Sequence, residues 1–186
     1  MIEVDNILNI LKQTKKAIAE NNPLELKRLS NQTIHSASTN QDQENISIAV
    51  TIYSLGKIYQ REHYKKLEGW ENFNRLINNS LNLAIKYLEK GDLENYKKNF
   101  ALIGKAINKI SGKLKNFISD VFEKARINKA SKIHEHGISL GKTAKLLGVT
   151  LYDLATYTGT SGVSDIPLNK TIDIKQRIKF AEEIFS

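Results

Sequence analysis

The stretch 136–159, "HGISLGKTAKLLGVTLYDLATYTG", decides how the C-terminal part of the chain folds. Its Gly-Lys-Thr run suggests a phosphate-binding loop, whereas two short apolar segments around a glycine suggest a pair of helices. A phosphate loop needs four residues between its two glycines and a strand in front of it. Here only three residues separate Gly137 from Gly141, and a helical pattern precedes them. The stretch therefore does not predict a nucleotide-binding loop.

The same stretch meets the requirements of a helix-turn-helix unit. Such a unit needs a small residue in its first helix, a glycine at the turn, and apolar residues on the inner side of its second helix. A threonine is also suited to cap the second helix, and a second glycine to end it. The residues that fill these positions are Ala144, Leu147, Gly148, Val149, Thr150, Leu154, Tyr157 and Gly159.

The outward positions of the second helix carry little of the chemistry that reads DNA bases. They are Thr150, Leu151, Tyr152, Asp153, Ala155 and Thr156. Arg, Asn and Gln, which most often contact base edges, are missing from this set. Lys142 and Lys145 of the first helix can contact phosphates, and Thr150, Tyr152 and Thr156 can contact a nucleic acid. The exposed pair Leu151 and Tyr152 equally suits the docking of a protein.

The remainder of the chain also has a helical pattern. Two prolines in 186 residues, and apolar residues spaced by three and four, predict an all-α protein. We expect helices over 3–20, 24–38, 65–90 and 113–136, a very apolar helix capped by Asn45 after a loop at 38–45, and another helix capped by Asp92 after Gly91. Small residues at Ala49, Ser54 and Gly56 permit close packing of the apolar helix, which we expect at the centre of the core.

We therefore predict two domains. Residues 1–135 form a helical bundle that dimerises or binds a partner. Residues 136–186 form the helix-turn-helix unit and a closing amphipathic helix, which places Ile174, Ile178, Ala181 and Phe185 on one side and offers a surface to a protein partner. We expect a homodimer.

The net charge of +8 favours an acidic partner such as a nucleic acid. Basic and acidic side chains number seven each in residues 1–64, nine and five in 65–112, six and three in 113–136, and six and five in 137–186. The excess lies in the middle of the chain, outside the quoted stretch. The lysines that can form a phosphate-binding stripe there are Lys98, Lys105, Lys109, Lys113 and Lys115; a solvated helix surface is the alternative.

Several classes of site are excluded by composition or made improbable by spacing. The chain has no cysteine, which excludes disulfides, thiolate zinc sites and cysteine nucleophiles and fits a reducing cytoplasm. No stretch approaches the 18 apolar residues that a membrane-spanning helix needs. His134 and His136 are two residues apart, which on a helix directs them away from a shared metal. We expect a cytoplasmic protein without membrane contact, cofactor or metal.

Arg28 and His35 are separated by six residues. Their spacing resembles the Arg-x(4–6)-His pattern of the HEPN ribonuclease superfamily, which implies a dimeric, RNA-cleaving helical bundle. Leu29 stands where that superfamily commonly has a polar residue, and the pattern falls on the second helix rather than late in the bundle. The alternative for His35 is a buried or capping histidine. We expect no catalytic activity and keep the ribonuclease as an alternative.

The segment "ISLGKTAKLLGVTLYDL", residues 138–154, resembles the helix-turn-helix of small archaeal and bacterial antitoxin-like proteins. Residues 128–186 more fully resemble the C-terminal part of uncharacterised archaeal helical proteins, which continue through a linker like "TYTGTSGVSDIP" to a last helix. Tyr152 replaces the usual tryptophan. The resemblance implies DNA-binding regulation or toxin neutralisation. We expect a non-catalytic nucleic-acid-associated protein with DNA as the favoured partner, and RNA, a ribosome or a protein as alternatives.

Overall fold

A computed structural model describes residues 4–40, 43–109 and 112–160. Within these ranges the protein is all-α, as predicted, and contains no strand. Short 3-10 turns at Glu62–Lys66 and Ala106–Lys109 precede α4 and follow α5. The helices are α1 (Val4–Ala19), α2 (Pro23–Asn40), α3 (Gln43–Tyr59), α4 (Trp70–Glu89), α5 (Leu93–Lys105), α6 (Gly112–Glu135), α7 (Leu140–Leu147) and α8 (Leu151–Thr160).

The apolar helix α3 lies at the centre of the core, as predicted. Ile48, Ile52 and Leu55 belong to a first hydrophobic cluster, which α3 shares with α1, α2, α4, α5 and α6. Ala49 and Val50 belong to a second cluster, which joins α3 to α2, α6, α7 and α8. Because α3 buries residues on more than one side, it holds the two clusters together.

Helices α2 and α3 approach each other closely. A methyl group added to Gly56 would lie 3.2 Å from Cβ of Leu26 and 3.5 Å from the carbonyl oxygen of Pro23. The Ser30 hydroxyl on α2 donates a hydrogen bond of 2.7 Å to the carbonyl oxygen of Ala49 on α3. The small residues of α3 therefore permit this close packing, as the sequence predicts.

Helices α4 and α5 form a hairpin around the predicted turn. Gly91 adopts a left-handed conformation with φ of 72°, which favours glycine because it has no Cβ. The Asp92 carboxylate then accepts a hydrogen bond from the backbone N–H of Asn95 at 3.1 Å and caps α5. Tyr96, Phe100 and Ile103 lie on the inner face of α5 and are buried.

The long helix α6 connects the first five helices to α7 and α8. Ile118 and Val121 join the first hydrophobic cluster, whereas Ala130 and Ile133 join the second. Ile138, Ala144, Leu147 and Leu154 of the following segment complete the second cluster. Helices α7 and α8 thus pack on α6 and share buried residues with α2 and α3.

The structure corrects several local predictions. The loop expected at 38–45 is shorter, since α2 continues to Asn40 and α3 begins at Gln43. Asn45 therefore lies inside α3, where it is buried, and does not cap the helix. The helix expected over 65–90 begins only at Trp70, because a 3-10 turn occupies Glu62–Lys66. The first five residues of the expected 156–167 linker belong to α8, which continues past Gly159 to Thr160.

Two further predictions concern other parts of the chain. The closing amphipathic helix with Ile174, Ile178, Ala181 and Phe185 lies outside the described residues. Among the described helices, none combines the length and the hydrophobicity that crossing a bilayer requires.

Candidate nucleic-acid interface

Helix α8 is positioned by caps and by apolar anchors that its sequence supplies. Gly148 has φ of 63° and ends α7, with its N–H bonded to the carbonyl of Ala144. The Thr150 hydroxyl oxygen accepts a hydrogen bond of 3.0 Å from the backbone N–H of Asp153 and donates to the Asp153 carboxylate at 2.5 Å. Leu154 is fully buried. Thr150 therefore caps α8, as predicted, and the Asp153 carboxylate is engaged locally.

A groove of about 510 Å³ runs between α8, α6 and the C-terminal end of α3. We call it the α3–α6–α8 groove. It is open to solvent, and its wall combines tyrosine rings, aliphatic side chains and cationic groups. Its lining residues are Tyr53, Lys57, Arg61, Val121, Lys124, Ala125, Ile127, Asn128, Tyr152, Asp153, Thr156 and Tyr157.

The charged groups that line the α3–α6–α8 groove are predominantly positive. Its lining includes the three cations Lys57, Arg61 and Lys124 and one carboxylate, that of Asp153. Lys124 forms an exposed ion pair with Asp120 at 3.0 Å, and Arg61 donates a hydrogen bond of 3.2 Å to the carbonyl oxygen of Lys57. Exposed ion pairs contribute little to stability, so Lys124 can leave Asp120 for an anionic partner with a small loss of folding free energy.

The aromatic side chains of the groove are held by polar contacts. The Asn128 amide donates a hydrogen bond of 2.9 Å to the Tyr157 hydroxyl oxygen and joins α6 to α8. Lys57 Nζ lies 5.6 Å from the centroid of the Tyr53 ring. Burial raises the pKa of Tyr53, with a further contribution from Tyr157, so its phenol stays neutral at physiological pH. Tyr152 stands at the rim with 79% of its surface exposed.

A buried cation lies behind the Tyr53 ring. Lys129 is only 1% exposed. Its Nζ is 4.3 Å from the Tyr53 ring centroid and donates a hydrogen bond of 2.8 Å to Oδ1 of Asn31. Burial lowers the pKa of Lys129 to about 8, and the nearby charges of Lys132 and Lys27 act in the same direction. The ammonium group is therefore still mostly protonated at neutral pH and interacts favourably with the ring.

A second aromatic group lies next to Arg61. The Arg61 guanidinium carbon is 5.3 Å from the centroid of the Tyr64 ring. Tyr64 stacks on Phe117 with centroids 5.3 Å apart and rings inclined by 5°. The His63 ring meets Phe117 edge to face at 6.4 Å. His63 and Phe117 are both exposed, so aromatic surface continues from the groove past Arg61.

The structure brings together only some of the predicted nucleic-acid contacts. Tyr152 and Thr156 line the α3–α6–α8 groove. Lys142 and Lys145 are exposed on α7 and are not part of the groove lining, and Thr150 serves as the cap of α8. The lysines of the predicted stripe are exposed but line no part of this groove; they are Lys98, Lys105, Lys109, Lys113 and Lys115.

The stripe extends from α5 through the 3-10 turn at Ala106–Lys109 to the first turn of α6. Helix α5 packs mainly on α4, whereas α8 packs on α6 and α7. Lys98 also forms an ion pair of 2.6 Å with Glu94 on its own helix. The α5 part of the stripe, with Lys98 and Lys105, is therefore a candidate surface for phosphate contacts separate from the groove.

The predicted ribonuclease residues lie on exposed parts of α2. The Arg28 guanidinium donates hydrogen bonds to Glu25 at 2.7 and 2.8 Å, and also to Gln32 and Gln13. Hydrogen bonding by Arg28 holds the pKa of Glu25 below its usual value. His35 is exposed, which excludes the buried position that was one of the two expected for it. Its ring lies 5.2 Å from that of His136.

His134 takes part in a local backbone contact. Its Nδ1 lies 2.8 Å from the carbonyl oxygen of Ile138. In the part of the chain that the structure describes, no three His, Asp or Glu residues are grouped so as to hold a metal ion.

Sequence analysis missed most of the groove. The missed residues include Tyr53, Lys57, Arg61, Lys124 and Asn128. A weak signal is present, since Tyr53, Lys57 and Arg61 are spaced by four residues and Lys124 and Asn128 repeat that spacing. Such spacing places residues on one face of a helix.

No protein-family model, curated protein or solved structure matches this chain.

Proposed function

We propose that this protein binds nucleic acid without catalysing a reaction, and that the α3–α6–α8 groove is the contact surface. The observation that carries this proposal is the convergence of three cations and three tyrosines from separate helices on one groove. Tyr152 and Thr156 come from the segment that the sequence assigns to a helix-turn-helix, while Lys57 and Lys124 come from α3 and α6. A regulatory or antitoxin-like role for the α7–α8 pair is part of the same proposal.

The chemistry of the groove suits a polyanion that carries aromatic bases. Each lysine or arginine that neutralises a phosphate releases condensed counterions, which makes the binding favourable and dependent on salt. Tyrosine rings provide stacking surfaces that accept any base. The α3–α6–α8 groove combines both features, and this combination supports nucleic-acid binding.

The proposal is tested by comparing two variants with the same loss of charge. Lys57→Gln with Lys124→Gln removes two cations from the groove, and Lys105→Gln with Lys109→Gln removes two from the stripe. Affinity for fluorescein-labelled oligonucleotides would be measured by anisotropy across a salt series. We expect the groove variant to weaken binding and to lower the salt slope by about 0.7–0.9 for each lost phosphate contact. An unchanged groove variant together with a weakened stripe variant would assign binding to the stripe.

A second candidate function is the docking of a protein partner through the start of α8. Leu151 and Tyr152 are adjacent and are 54% and 79% exposed. Exposed apolar neighbours of this size are typical of interaction surfaces. This function predicts that Leu151→Ala abolishes capture of the partner, whereas the lysine variants do not. If the groove binds nucleic acid, the lysine variants should weaken binding and Leu151→Ala should not.

A further inference from the structure

We infer that the ligand of the α3–α6–α8 groove is an unpaired nucleotide strand, with at least one base stacked on the rim at Tyr152. This inference rests on the proposed function and narrows it from nucleic acid in general to single strands. RNA and single-stranded DNA share the relevant chemistry, which is an exposed base beside a phosphate. The groove distinguishes this class from duplex DNA by its shape and by the placement of its rings.

The surroundings of α8 do not suit the reading of a duplex. A recognition helix enters the major groove with its outward face free, so that its side chains reach the base edges. In this protein Tyr152, Asp153 and Thr156 line a groove whose other walls are α3 and α6. To be read by α8, a duplex would have to fit its major groove around this face of the helix. The neighbouring walls formed by α3 and α6 occupy the space that the duplex would need. A single strand can instead lie along the groove.

The rings at the groove suit bases that are not paired. Unpaired bases can turn out of the strand and stack on tyrosine, whereas paired bases keep their faces inside the duplex. Tyr152 is the most exposed large hydrophobic side chain in the described regions and lines the same groove as Tyr53 and Tyr157. A volume of about 510 Å³ lies in the range of sites that take nucleotide-sized ligands.

The cations provide a path for the phosphates of such a strand. Lys57 lies near the end of α3 and Arg61 lies two residues beyond that end, and both line the groove. Beyond Arg61, the exposed rings of His63 and Phe117 offer a second stacking surface. The surface from Tyr152 to Phe117 therefore combines two rings with the two cations Lys57 and Arg61, and sites for single strands combine rings and cations in the same way.

The test compares probes of one sequence in three forms: a labelled 12-nucleotide RNA strand, the same DNA strand, and the corresponding blunt DNA duplex. We expect the single strands to bind at least 10-fold more tightly than the duplex. Tyr152→Ala should weaken single-strand binding about 5- to 100-fold, because it removes one stacked base. Tyr152→Phe keeps the ring and should bind as the parent does. Leu151→Ala is the matched control on the same helix and should also bind as the parent does.

The outcomes separate this inference from the function on which it rests. Tighter binding of the duplex, with sensitivity to Lys57→Gln and Lys124→Gln but not to Tyr152→Ala, would overturn the inference and keep the function. Failure of all three probes to bind at 50 mM salt would overturn both. Equal loss from Tyr152→Ala and Leu151→Ala would also contradict base stacking, because only the tyrosine offers a ring. If RNA binds and DNA does not, the 2′-hydroxyl takes part in recognition.

Discussion

Burial of the Lys129 ammonium group lowers the stability of the folded protein, but the same group contacts the Tyr53 ring that lines the groove. In the described part of the chain, the contacts of its ammonium group are an amide oxygen and the Tyr53 ring rather than a carboxylate. Removing a charge from water without an opposite charge nearby is costly. The lowered pKa of Lys129 expresses this cost. The same ammonium group interacts with a ring that lines the groove.

We predict that Lys129→Met changes how stability depends on pH. With a folded pKa of about 8 and an ordinary value of 10.5, the unfolded chain holds a proton between these pH values that the folded chain has lost. Stability therefore rises with pH in this window. Relative to Lys129→Met, the free energy of unfolding of the parent should rise by about 2 kcal/mol from pH 7 to pH 10. Urea unfolding of both proteins at several pH values measures this difference.

The comparison with the methionine variant isolates Lys129. Lys27 and Lys132, whose charges act on Lys129, and Tyr53, whose ring contacts it, are present in both proteins. Methionine also fills a similar volume, and the variant should be the more stable of the two at pH 7. Parallel dependence on pH in the two proteins would show that the buried amine is not desolvated as the structure indicates.

At the scale of helices, the contact between α2 and α3 depends on a missing side chain. We predict that Gly56→Val lowers the free energy of unfolding by about 1–3 kcal/mol, because the new carbons meet Leu26 and the α2 backbone. Gly104→Val is the matched control on α5, since a Cβ there meets no atom within 4 Å. Both changes put valine into a helix, so the difference between their melting curves reports the packing term alone. Equal losses would contradict close packing of α2 on α3.

The capping of α8 is a second property of a single element. Thr150→Ala removes the oxygen that accepts from the Asp153 N–H and should cost about 1 kcal/mol. Amide hydrogen exchange in α8 should become faster, because the first turn of the helix loses its cap. Thr150→Ser retains a hydroxyl and serves as the control. If exchange in α8 is the same in both variants, the cap does not limit the opening of the helix.

At the scale of the molecule, the two hydrophobic clusters share α2, α3 and α6. We predict that Leu154→Ala in the second cluster lowers the unfolding temperature reported by Trp70 in the first. Truncating a buried leucine to alanine lowers the free energy of unfolding by about 2–4 kcal/mol. For a chain of this size, that loss lowers the unfolding temperature by roughly 5–15 °C. Trp70 is the only tryptophan, so its fluorescence reports the first cluster selectively.

The control for this experiment is Leu151→Ala, which removes an exposed side chain and should change stability by less than about 0.5 kcal/mol. Circular dichroism follows all helices at the same time. A shift of both signals by the same amount indicates one cooperative unit. Loss of only part of the dichroism, with Trp70 unaffected, would instead support the predicted boundary after residue 135.

The all-α class and several local features were predictable from the sequence. The spacing of Tyr96, Phe100 and Ile103 places them on one helix face, and caps such as Asp92 and Thr150 act on a backbone N–H three residues away. Such signals depend on neighbours within one or two turns of helix. Asn45 was assigned wrongly because a capping residue and a buried polar residue inside a helix have the same local appearance.

Most helices and their apolar faces could be predicted from the sequence, although several helix ends could not, since local spacing depends on residues close together along the chain. The sequence also placed Tyr152 and Thr156 on the outer side of α8. Only the tertiary structure decided that these residues lie beside Lys57, Arg61 and Lys124, and that Lys129 is buried behind Tyr53. The physical reason is that helix packing joins residues nearly a hundred positions apart, and no local spacing encodes which faces will meet.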